Sequence, residues 1–81
     1  MKDKLKLLSD KANEANRMRD LLIIAREALK TFGDYKILKI VEESIAYDIE
    51  YSIQSGVPIV KDKVECRKHQ LISTMSMIVE M

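Results

Sequence analysis

Between Lys2 and Phe32 the chain contains neither Gly nor Pro, and Leu8, Ala15, Leu22 and Leu29 recur through that stretch at seven-residue intervals. Apolar residues at this spacing share one face of a helix, and a face of that kind is stable only against another helix. One helix over residues 3–32 would be about 45 Å long. A compact chain of 81 residues measures only roughly 30 Å across. The pattern therefore predicts a long first helix whose N-terminal half overhangs the remainder.

The flanks of the seam are not constant. Up to Ala15 the apolar pairs are Leu5 with Leu8 and Ala12 with Ala15. Beyond it Met18 joins Leu22 and Ala25 joins Leu29, then Phe32 follows, while Arg19 and Arg26 take the earlier flank. A changed flank implies a changed neighbour. Residues after Ala15 are expected to face the chain's own core, and Leu5, Leu8, Ala12 and Ala15 to meet the same segment of a second subunit. The alternative is a break near Ser9 and Asp10, both good helix caps, with the first eight residues folded back.

Gly33, Gly56 and Pro58 divide the rest. Gly33 suits a left-handed helix stop and Asp34 the cap of the next helix, which then runs over about residues 35–54. Pro58 suits the first turn of a third helix, over about residues 58–79. The alternation of Ile45, Tyr47, Ile49, Tyr51 and Ile53 has the period of a strand, but the chain offers no convincing partner strand, and a lone hairpin is marginal. The expected architecture is a single all-α domain, residues 1–81, forming a three-helix antiparallel bundle. At this size one core gives little net stability, so a homo-oligomer is expected, a dimer first.

Placed at 100° per residue, Leu38, Val41, Ile45, Ile49 and Ile53 form an inward stripe on the second helix. Ile40, Tyr47 and Tyr51 form another nearly opposite. An exposed row with two tyrosines at i, i+4 has the composition of an interface, and these three residues are the expected partner-binding set unless the first helix or the 55–60 loop covers them. On the third helix Val60, Val64, Leu71, Met75 and Ile78 point inward, with Ile59, Cys66 and Met77 on the far side.

Catalytic chemistry has no visible basis. Glu42, Glu43, Asp48 and Glu50 share a helix without the spacing of a converging acid–base pair, Cys66 is the chain's lone thiol, and His69 lies on a polar arc with no second ligand nearby. No cofactor or metal is expected. The polar set Asn13, Asn16, Arg17 and Arg19 is expected to set register and oligomeric state, asparagine being mediocre in a helix interior; alternatively Asn16, Arg19 and Arg26 line, in an assembly, a pocket for a small anion such as a nucleotide. A nucleic-acid surface built on Lys2, Lys4, Lys6, Lys11 and Arg17 is disfavoured, because the net charge is only +1 and no recognition unit is present.

The charge is nevertheless uneven. Residues 1–33 carry eight basic and five acidic side chains and residues 34–56 carry two and five, a complementarity that helps pair the first two helices. The charged start MKDKLKLL is unlike a signal peptide, and no run is long and apolar enough to span a membrane, so a cytoplasmic protein is expected. Its size, lack of chemistry and Lys/Glu/Ile-rich composition are of a kind with small accessory or inhibitor proteins of bacteria and their phages. The leading expectation is a non-enzymatic regulator that docks on another protein through helical surfaces.

Overall fold

The computed structural model describes residues 2–81. They form four helices and no strand: α1 (Lys2–Glu14), α2 (Met18–Phe32), α3 (Lys36–Ser55) and α4 (Lys61–Glu80). The all-α class therefore holds, and residues 45–53 are helical. The three-helix count does not hold, because the expected first helix is two helices joined by residues 15–17.

This joint explains why the seam changes flank. The Ala15 amide bonds the Ala12 carbonyl at 3.1 Å, a tightened last turn of the 3₁₀ kind. Arg17 then adopts an extended conformation with φ −125° and ψ 146°, and its side chain caps nothing. A missing N-cap costs about 1 kcal/mol. A straight helix would instead leave Leu8 and Ala12 in water, whereas in the folded-back arrangement they are 1% and 0% exposed. Burying one leucine is worth about 1.5–3 kcal/mol, so packing outweighs the cap. Asn16, a mediocre residue in a helix interior, lowers the cost of stopping there. The Ser9–Asp10 alternative also fails: both residues lie inside α1, and Asp10 accepts a bond from Lys6 at 3.3 Å.

Because α1 folds back, it lies against α2 and α4 and does not reach α3, which packs on the other side of the same two helices. The long axis is 39 Å, and nothing overhangs. All four helices feed one core, whose largest fully buried side chains are Leu8, Leu21, Leu38, Ile45, Leu71 and Met75. Lys11 to Glu27 and Arg26 to Glu42, each at 3.3 Å, link α1 to α2 and α2 to α3. These pairs sit near solvent and contribute little energy; only Arg26 to Glu42 realises the charge complementarity of residues 1–33 and 34–56, since Lys11 and Glu27 both belong to the first segment.

The two glycines end α2 and α3 differently. Gly33, at φ 112° and ψ 174°, lies in a region reserved for glycine, and its amide returns to the Leu29 carbonyl at 3.0 Å. Gly56, at φ 73° and ψ 7°, is the left-handed stop. The N-cap of α3 is Tyr35 rather than Asp34, again without a side-chain bond. The last helix begins at Lys61, not at Pro58. Pro58 lies in an exposed loop tied to α3 by the Ser52 hydroxyl, which donates to the Val57 carbonyl at 2.6 Å. That delay turns Ile59 onto the core and leaves Val60 exposed, the reverse of their expected faces.

Candidate functional site

The outer face of α3 is built by helical periodicity alone. Leu38, Val41 and Ile45 are buried and Ile49 packs beside them, so Ile40, Tyr47 and Tyr51 must point away. They are 53%, 64% and 53% exposed. Neither α1 nor the 55–60 loop covers them. Tyr47 and Tyr51 stack on each other, ring centroids 6.2 Å apart and planes inclined by 24°, which fixes two aromatic side chains in one orientation. Beyond Tyr51 the surface dips into a hollow of about 190 Å³ lined by Val57, Pro58, Val60 and Lys63, with Asp48 at its floor.

Asp48 is the feature that sequence reasoning missed. It falls at the edge of the inward stripe, one helical position from Tyr47, and its side chain is only 3% exposed. Arg67 of α4 reaches it with Nε at 2.6 Å from Oδ2 and a second, longer bond of 3.4 Å to Oδ1. Lys63 approaches Oδ1 at 3.6 Å. The carboxylate hydrogen bond is the main reason that Arg67 holds its proton more tightly than an ordinary arginine, against the opposing effect of partial burial. Two cations on one anion leave this spot with a net positive charge beside the aromatic pair. The available signal was an acidic residue at the edge of the inward stripe.

The residues expected at an oligomer seam are elsewhere. Leu8, Ala12 and Ala15 are buried in the chain's own core and Leu5 is packed against it, because α1 turns back onto α2 and α4. Of that set, none is left as an open apolar surface for a second subunit. The register role of Asn16 is likewise replaced: it stands in the joint between helices.

The expected anion set is divided. Asn16 and Arg19 come together with Arg17 along a cleft between the start of α2 and the end of α3, whose wall includes Ile49, Ile53 and Ile59. Ile53, assigned to the core by periodicity, is 72% exposed; it faces this open cleft rather than packed side chains. Arg26 is not part of it, being engaged with Glu42. His69 and Cys66 are exposed, and among the described residues no three His, Cys, Asp or Glu side chains converge as metal ligands. No helix among the described residues is long and apolar enough to cross a membrane.

Among the described residues the fold is a four-helix all-α unit whose α3 exposes a stacked tyrosine pair. No protein-family model matches the chain, and no curated protein or solved structure matches it at a significant level.

Proposed function

We propose that the protein is a small non-enzymatic regulator that acts by holding another protein against the outer face of α3. The observation that carries this reading is the exposure of Ile40, Tyr47 and Tyr51 in one stripe on a chain whose core is already complete without them. A contiguous exposed row of this composition is the kind of surface a partner covers, and stacked tyrosines lose little further freedom on binding. The hollow beyond Tyr51 has room for one apolar anchor from the partner. Lys63 and Arg67, which outweigh Asp48 by one charge, favour a carboxylate next to that anchor. An amphipathic helix with an acidic flank meets both requirements.

The test places a photoreactive residue at Tyr47 and, as a control, at Lys30 on a different helix, in cells that naturally hold the protein. A defined protein adduct from the first position, absent from the second and lost on Tyr51→Ala, supports the reading. Equal labelling from both positions, or an adduct that survives Tyr51→Ala with Ile40→Ala, refutes it.

A further inference from the structure

The cleft at the corner of α1 and α2 is a different kind of site from the tyrosine face. Its volume is about 400 Å³, within the usual range for small-molecule pockets. Of the four arginines in the chain, Arg26 and Arg67 are each engaged with a carboxylate. Arg17 and Arg19 line the cleft and form no ion pair among the described residues. No acidic side chain lines the cleft with them. The opposite wall is apolar: Ile49 and Ile59 rest against the core, and Ile53 presents its side chain to the opening. The cleft thus has a cationic end and a hydrocarbon end. The first turn of α2, uncapped by any side chain, adds its unpaired amides at the cationic end.

We propose that this cleft binds a small amphiphilic organic anion, with its carboxylate or phosphate held by Arg17 and Arg19 and its aliphatic body on Ile49, Ile53 and Ile59. A guanidinium pair suits a planar or tetrahedral anion through paired N–H donors. The isoleucine wall selects against an anion with no apolar body. Neither half alone suffices: the arginines are solvated, and a lone isoleucine row at the mouth of a cleft has weak purchase on a hydrocarbon. Nucleotides fit poorly, because their polar sugars would face the isoleucines.

The experiment is a titration of the full chain, followed by amide and isoleucine-methyl NMR, with octanoate, octyl phosphate, octanol and inorganic phosphate. Octanoate or octyl phosphate is expected to shift the Met18 and Arg19 amides together with the Ile49 and Ile53 methyls, along one saturable curve. Octanol and inorganic phosphate should each bind at least about tenfold more weakly, and Arg17→Gln with Arg19→Gln should cost about the same factor. Both arginines are exposed, and an unchanged amide spectrum elsewhere shows that the variant is folded. Ile53→Ser, also on the surface, should weaken octanoate while leaving the weak phosphate response unaltered. The proposal is overturned if shifts scatter over the surface without saturating, if the arginine variant binds octanoate as well as the parent, or if inorganic phosphate matches it. Preference for octyl phosphate over octanoate identifies a phosphate-headed ligand, and the reverse a carboxylate; either supports the site.

Discussion

Asp48 and Arg67 form a short ion pair, 2.6 Å between Oδ2 and Nε, that joins α3 to α4 beside the hollow that Tyr51 borders. Its two ends are unequally buried: the aspartate side chain is 3% exposed and the arginine 22%. Losing one member strands the other, and the cost is greatest where the survivor is cut off from water. Arg67→Ala, which leaves the aspartate with Lys63 alone, should destabilise by about 3 kcal/mol. Asp48→Ala should cost less, about 2 kcal/mol, since the arginine can turn to solvent. Urea unfolding of both single variants checks the order. Asp48→Leu with Arg67→Met should recover most of the loss.

Lys68 of α4, itself buried, donates from Nζ to the Asn13 carbonyl at 3.1 Å. That carbonyl belongs to the last turn of α1, where a cation meets both an orphan acceptor and the negative end of the helix dipole. Lys68→Met keeps the side-chain stem and removes the donor. A loss of about 1–2 kcal/mol is expected, and amide exchange in α1 should quicken more than in α3. Uniform acceleration across all helices would contradict a local role.

If α1 belongs to its own chain's core, truncating it must weaken the monomer. Leu8→Ala should cost about 2–4 kcal/mol, and the thermal midpoint of the parent should not move with protein concentration across the micromolar range. A midpoint that rises with concentration would place Leu8 and Ala12 at a contact between copies.

Gly33 and Gly56 differ in what a methyl group would cost. At Gly56 an added Cβ meets nothing within 4 Å, so Gly56→Ala carries only the left-handed penalty of about 1 kcal/mol. Gly33 sits at φ 112° and ψ 174°, where alanine costs about 1–3 kcal/mol despite an ordinary 3.6 Å approach to the Tyr35 ring. Thermal melts should rank Gly33→Ala below Gly56→Ala.

The all-α class, the breaks at Gly33 and Gly56 and the exposed Ile40, Tyr47 and Tyr51 stripe were legible because each depends on local periodicity or on a residue with special backbone freedom, although Gly33 is not the left-handed stop expected of it. The joint at residues 15–17 was not, since it lacks Gly, Pro and a capping side chain and exists because Leu8 and Ala12 are buried when α1 packs on α2 and α4. Its trace was the flank change at Ala15, and a break explains that change as well as a second subunit does. Asn13 and Asn16, expected to set register along one helix, instead stand in the last turn of α1 and in the joint after it. Asp48 was hidden for another reason: its partners on α4 come from distant sequence positions, and periodicity registers no ion pair. Val60 and Ile53 were misplaced because the 56–60 loop delays the last helix and opens the cleft.

Residues 15–17 contain nothing that forbids helical backbone angles, and the surface of α2 and α4 that receives Leu8 and Ala12 is indifferent to which molecule delivers them. A chain that straightened there would become the unbroken rod its seven-residue spacing describes, with an N-terminal arm seated on a neighbour and every buried contact preserved. Closed and exchanged forms would differ only in the turn and in chain entropy, so protein concentration, rather than any added interface, would set the balance between solitary and paired molecules.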